Sequence, residues 1–288
     1  MTQPIKNVLW ATDFSEESKE ALAYASFLAK AFKTKLIALH VVPDFAPALY
    51  EAWPEAQAEL AGKIEGSKAS AKAKLEHMCE KQGVCANKII VTEGAAAKVI
   101  LKTAKKESAG LIVVGRKGVS GHEQNLIGSV THRILRGARV PVLVTKGTDA
   151  KIGDLGKILV PTDFSAEEDV ERDQAWKLAK VLGSSLTFLY VMELFGHDFR
   201  LTDEMFDSVL KKLQARKKRE HKAVEINEAV VKAVHGYEGV IDYAETKGFD
   251  LIVMSTTVRR LARFFLGSTT EKVIAHSRVP VYAIPREQ

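Results

Sequence analysis

Glycines, hydroxyl residues and cations cluster at one place in this chain of 288 residues: Gly115-Arg116-Lys117-Gly118, then Gly121, then Gly128-Ser129-Val130-Thr131. Amides that no side chain covers, together with hydroxyls and positive charge, make a place for a phosphate. The apolar run Leu111-Ile112-Val113-Val114 reads as a buried strand that ends on a glycine. The segment from Val130 to Gly137 reads as a short helix, with Ser129 as N-cap, Val130 and Ile134 on one face and Gly137 as the stop. The glycines thus sit between the C-terminal end of a strand and the N-terminus of a helix, where parallel α/β sheets bind ligands. They are expected to supply positive φ and close backbone approach.

The elements that must position this cluster come from a repeat. Thr12-Asp13-Phe14-Ser15 recurs as Thr162-Asp163-Phe164-Ser165, and Leu28-Ala29-Lys30 as Leu178-Ala179-Lys180. Leu111-Ile112-Val113 recurs as Leu251-Ile252-Val253, and Arg139-Val140-Pro141-Val142 as Arg278-Val279-Pro280-Val281. A repeat this long is a duplicated domain. The join falls in the Gly/Asp-rich stretch 146–156, giving domains 1–147 and 156–288. Each half reads as strands alternating with helices, five strands per half, so a parallel sheet with helices on both faces is expected. In the first half the strands are placed at 7–12, 35–42, 88–92, 111–114 and 140–145, and the helices at about 15–32, 59–82, 96–107 and 130–137. Pro43, Pro47 and Pro54 mark a loop. Pro141 and Pro280 near the start of each last strand put that strand at a sheet edge, where two edges can pair.

The spacing at 115–131 (glycine, two residues, glycine, nine residues, glycine, serine) resembles the nucleotide-binding signature of the universal stress protein family. It matches without a gap and sits late in the domain, before the last strand. The resemblance covers almost the whole chain and is specific in the first half. It implies two tandem, doubly wound α/β units that are Rossmann-like and similar to adenine nucleotide alpha hydrolases. It also implies a bound adenine nucleotide, ATP or ADP, with Mg²⁺ as a companion ion. Gly115, Gly118, Gly128, Ser129, Val130 and Thr131 would form the phosphate cradle, with Arg116 as a further nucleotide-binding residue that adds positive charge. The backbone of Val41 would contact adenine, and Asp13 would line the site beside Thr12 and Ala11. Ala11 stands where many relatives carry proline, a position that needs only backbone.

The residues themselves leave some roles double. Asp13 suits a helix cap as well as a base or ribose contact. Thr131 suits a helix surface as well as a phosphate. The side chains of Arg116 and Lys117 suit a solvated surface, and His40 a packed strand position. In the second half Ser255 and Val258 replace the first two glycines, and Asp163, Gly267 and Ser268 remain as a degenerate second site. Valine resists positive φ and would fill space beside a phosphate. That half is expected to bind nucleotide weakly or not at all and to serve as an intramolecular pseudo-dimer partner. By resemblance the last strand is a dimer contact, so a homodimer is a further expectation. The basic run 210–222 reads as a solvated helix face or a dock for an unknown acidic protein partner. Phe264-Phe265-Leu266 reads as core or interface.

Composition narrows the function classes. The chain is 46% apolar and 27% charged, as a globular protein is. The formal net charge is +6, and residues 1–150 carry all of it, with 21 Lys/Arg against 15 Asp/Glu. The charges are dispersed and aromatics are 7%, so nucleic acid is not the expected partner. Cys79 and Cys85 fit no zinc or redox spacing, and no metal ligand set is visible. No apolar run reaches the roughly 20 residues of a membrane span, and no signal-peptide core is visible at the N-terminus, so a cytoplasmic protein is expected. There is no P-loop, no G-x-G-x-x-G and no nucleophile elbow. The expected function is a stress-response protein that binds an adenine nucleotide and regulates through it. The alternatives are a slow Mg²⁺-dependent ATPase or a nucleotide-independent interaction scaffold.

Overall fold

The computed structural model describes residues 5–43, 57–84, 86–119, 126–146, 155–164, 168–194, 203–215, 224–256 and 267–285. Gly121, Cys85, Pro47, Pro54, the linker 147–154, Val258, the basic residues 216–222 and Phe264-Phe265-Leu266 lie outside them. The chain divides into two compact units, Met1–Gly147 and Thr148–Gln288.

The first unit runs β1 (Asn7–Thr12), α1 (Glu16–Ala31), β2 (Lys35–Val42), α2 (Gln57–Lys81), β3 (Lys88–Glu93), α3 (Ala96–Lys106), β4 (Leu111–Gly115), α4 (Ser129–Gly137) and β5 (Val142–Thr145). Its strands are all parallel, in the order β3-β2-β1-β4-β5. The order turns back on itself between β1 and β4, so the crevice outside their C-terminal ends is the switch point of a doubly wound sheet. β1 and β4 are continuous apolar runs because both faces are covered, and Leu9, Trp10, Leu111, Ile112 and Val113 are fully buried. α1 lays Ala21, Leu22, Ala25 and Leu28 on the sheet, while Phe32 lies past the helix end and is only half-buried. β5 begins at Val142, after Pro141 rather than before it. The proline has no amide to give, but its carbonyl accepts from Ile112 N at 3.0 Å.

The second unit repeats the plan: β6 (Lys157–Thr162), α5 (Glu168–Leu182), β7 (Ser185–Glu193), α6 (Asp203–Ala215), β8 (Ile226–Ala233), α7 (Gly236–Thr246), β9 (Leu251–Ser255), α8 (Ser268–His276) and β10 (Val281–Ile284). Its strands are parallel in the order β8-β7-β6-β9-β10. The last strand of each unit ends that unit's order, as the prolines imply. Among the described residues no helix is long and apolar enough to cross a membrane.

Candidate functional site

β1 ends in a turn that fixes everything after it. Phe14 takes φ +66°, a conformation side chains rarely adopt. The turn is held from both sides. The Phe14 amide donates to Thr12 Oγ1 at 2.9 Å, and Thr12 Oγ1 lies 2.7 Å from Ser18 Oγ. Ser18 Oγ in turn donates to the Ser15 carbonyl at 2.9 Å, so the proton between the two hydroxyls comes from Thr12. Ser15 is the N-cap of α1, as its position after Asp13-Phe14 leads one to expect, and accepts from Ser18 N. The Thr12 hydroxyl is therefore occupied within the turn. Thr12 borders the site through its backbone and its buried flank.

Asp13 points from this turn to the loop after β4. Its carboxylate accepts from Ser15 Oγ at 2.6 Å, Ser15 N at 3.1 Å and Val119 N at 2.8 Å. Burial pushes the Asp13 carboxyl up, but the hydrogen bonds from Ser15 and Val119 outweigh it and hold the group below the usual 3.8. Asp13 is thus a clasp between β1 and the glycine loop.

Glu17 in the first turn of α1 holds the same loop from beneath. It accepts from Lys117 N at 2.6 Å and from the Arg116 guanidinium at 3.3 Å. Here the expectation for Arg116 is corrected. Its side chain is neither solvated nor at the cavity, but 3% exposed and turned inward to Glu17. No local sequence signal marks that, because the partner lies 99 residues earlier. Lys117 remains on the cavity side.

The glycines are also corrected in their reason. None of Gly115, Gly118 and Gly128 has positive φ. All three are closely packed, and crowding against backbone demands a glycine at Gly115. A Cβ on Gly115 would stand 2.8 Å from the Glu17 carbonyl carbon and the Ser18 amide, and one on Gly118 would collide with Asp13 Oδ2. A Cβ on Gly128 would meet the Arg116 carbonyl at 3.3 Å.

At the helix, Gly128 is the N-cap of α4 and Ser129 its first residue, so the helix starts one residue earlier than expected. The first closing bond runs from His132 N to the Gly128 carbonyl, so the amides of Ser129, Val130 and Thr131 have no carbonyl within the helix. The Thr131 hydroxyl is not a phosphate donor. It is buried and donates to the Gly115 carbonyl at 2.8 Å. Ser129 is left as the hydroxyl at the helix start. Gly137 is the last helical residue rather than a positive-φ stop, and a Cβ there would strike Leu101 Cδ1 at 2.7 Å.

These pieces enclose a cavity of about 540 Å³, within the range of small-ligand sites. Ala11, Thr12, Asp13, Val41, Gly115, Gly118, Gly128, Ser129, Val130 and Thr131 all line it, and Arg116 alone of the expected set does not. Sequence reasoning missed the opposite wall. Leu39 of β2 with Ala96 and Ile100 of α3 make an apolar face there. Ile100 reads in sequence as ordinary core. The signal that could have found this wall is Ala95-Ala96-Ala97, a helix start with no capping side chain. Among the described residues neither α3 nor α4 carries a side-chain cap or an acid in its first turn. His40 packs as expected, its Nδ1 2.8 Å from the Thr12 carbonyl and its ring on Phe14 at 4.3 Å.

The second unit keeps the frame and changes the charge. Thr270 Oγ1 donates to the Ser255 carbonyl at 2.7 Å, as Thr131 does to Gly115. Gly267 N-caps α8 and Ser268 opens it. Phe164 has φ +58°, and its amide donates to Thr162 Oγ1. Both helix starts are acidic, however. Glu193 accepts from Gly236 N at 2.6 Å at the head of α7, Glu238 lies in that helix's first turn, and Glu271 lies in the first turn of α8.

Fold and site together define a tandem pair of doubly wound α/β units, the first with a ligand-sized cavity at its switch point. A sequence model described as the universal stress protein family matches residues 4–146 and again 155–285, so the chain belongs to the universal stress protein family. A universal stress protein of Methanocaldococcus jannaschii is 38% identical over 145 residues, which is 49% of this chain and 82% of that one. One from Mycolicibacterium smegmatis is 24% identical over 96% of both chains. The crystal structure of a universal stress protein from Archaeoglobus fulgidus superposes with a TM-score of 0.66 at 23% identity, covering 98% of each chain, and shares the tandem fold.

Proposed function

We propose that the first unit binds an adenine nucleotide, ATP or ADP, and that the protein acts as a nucleotide-responsive regulatory protein. One observation carries this reading. Two helix N-termini without caps or acids, those of α3 and α4, open on the same 540 Å³ cavity, which also has an apolar wall. The residues present fit the group. The α4 amides and Ser129 suit the phosphates, with Lys117 beside them. Leu39, Val41, Ala96 and Ile100 suit a flat base, and the backbone of Ala11 and Thr12 with Asp13 suits the sugar between. Mg²⁺ would arrive with the phosphates. The second unit's Asp163, Gly267 and Ser268 are proposed to hold nucleotide weakly or not at all, since Glu238 and Glu271 place carboxylates at its helix starts.

A regulatory effect requires that nucleotide bind one conformation better than another. The loop clasped by Asp13 and Glu17 is the element such a ligand would bias. Calorimetric titration with ATP and ADP tests the reading, paired with mass spectrometry of nucleotide carried through purification. About one nucleotide per chain is expected. Steady phosphate release under Mg-ATP, lost in Gly118→Val, would make the protein a slow ATPase. No measurable affinity for either nucleotide would leave the interaction scaffold.

A further inference from the structure

On the other side of the β1–α1 turn lies a second groove. Asp13 lines the cavity, and Phe14, the next residue, lines this groove together with His40, Lys63, Ser67, Ser70 and Lys74. It holds about 690 Å³ between the end of β2 and one face of α2. The four α2 residues sit at positions i, i+4, i+7 and i+11, which is a single helix face. Lys74 Nζ lies 4.4 Å from the centre of the Phe14 ring. Among the described residues lining the groove none is acidic.

The duplicated half provides an internal control. There too a positive-φ phenylalanine, Phe164, stacks on the β7 aromatic Tyr190 at 4.8 Å and lies 4.4 Å under Lys212 of α6. Aligned on those two lysines, Ser70 corresponds to Ser208, so the ring, the lysine and the serine one turn before it are common structure. The rest of the face is not. Gly66, Ser67 and Ala71 become Glu204, Met205 and Val209, Lys63 becomes Leu201, and His40 becomes Tyr190. The first half is therefore opened by small residues and ringed with nitrogen donors where its own copy is bulky and carries an acid.

We propose that this groove is a second anion site of the first unit, taking a phosphate group, free or esterified on a small metabolite. Lys63 and Lys74 supply charge, and Ser67 and Ser70 supply hydroxyl donors. His40 completes the ring. Its Nδ1 faces the Thr12 carbonyl, which only accepts, so Nδ1 carries a proton and Nε2 gains one only when the ring ionises. Burial holds the His40 pKa below 6.5. The Thr12 carbonyl and Asp13 act against that, and Lys74 adds to it. A bound dianion beside Lys63 and Lys74 reverses that balance and raises the pKa. The proposal does not rest on the nucleotide reading, since the groove shares no lining residue with the cavity.

The test is a titration of the full chain with inorganic phosphate, and in a second arm with glycerol 3-phosphate, following the His40 ring signals by NMR. Saturable shifts with an upward move in the His40 pKa are expected, and the tighter arm tells a free from an esterified phosphate. Ser67→Met, which installs the residue of the second copy at an exposed position, is expected to abolish the response. Lys63→Gln is expected to weaken it about tenfold, the size of one charge-assisted hydrogen bond. Gly128→Val, which alters the other site, is expected to leave it intact. Shifts that never saturate, or that persist unchanged in both Ser67→Met and Lys63→Gln, overturn the proposal.

Discussion

Two carboxylates do most to shape the loop, and each gives a prediction. Glu17 is only one-fifth exposed and sits against the buried Arg116 guanidinium and the Lys117 amide. Glu17→Gln removes the charge beside a buried cation and is expected to cost about 2 kcal/mol in urea unfolding. The Asp13 carboxyl titrates below its ordinary 3.8 in the folded chain. The stabilisation from its bonds to Ser15 and Val119 is therefore complete above about pH 4 and is lost as pH falls through the lower folded value. The Val119 amide signal is expected to follow that titration and to lose it in Asp13→Asn. His40 acts in the same direction at higher pH. Because the fold favours its neutral ring, stability is complete above 6.5 and declines as pH drops from there toward the folded value. At Gly128, a valine Cβ must displace the Arg116 carbonyl at 3.3 Å. Gly128→Val is expected to lower ATP affinity about a hundredfold or more, as two or three amide donors at roughly 1 kcal/mol each are misplaced. Far-UV circular dichroism is expected to stay unchanged.

At the scale of elements, the contrast between helix starts is the informative feature. α3 meets its cavity uncapped, whereas α7 is capped from the neighbouring strand end by Glu193. Glu193→Ala is expected to destabilise α7 by about 1 kcal/mol, read as faster amide exchange at its first turn. Much of the element plan was legible in the sequence. Alternating apolar runs and turn residues placed each first-half strand to within two residues, and the Thr-Asp-Phe-Ser repeat disclosed the duplication. What was not legible depends on distant partners. Arg116 looks like a surface cation because Glu17 lies on another element. Thr131 looks like a phosphate ligand because the carbonyl that takes its proton, Gly115, is met only when β4 and α4 fold together. Gly115 is needed because a Cβ would strike the Glu17–Ser18 backbone, and such crowding leaves no mark in a sequence beyond the glycine itself.

For the whole molecule, duplication makes each unit a reference for the other. The prediction here is stoichiometric. Nucleotide recovered from the purified full chain is expected near one per chain, and a value near two would mean that the acids at α7 and α8 do not repel it. The units share the phenylalanine turn, the threonine bond that locks the helix after the fourth strand, and the strand order. They differ in charge at the helix starts and in side-chain volume along one helix face. The bond from Thr270 to the Ser255 carbonyl has a consequence for protein engineering. The junction between the fourth strand and its following helix stays locked in the second unit after the glycine signature is lost, so that lock and the chemistry beside it are separately heritable. A junction of this kind is a fixed point from which new side-chain chemistry can be presented.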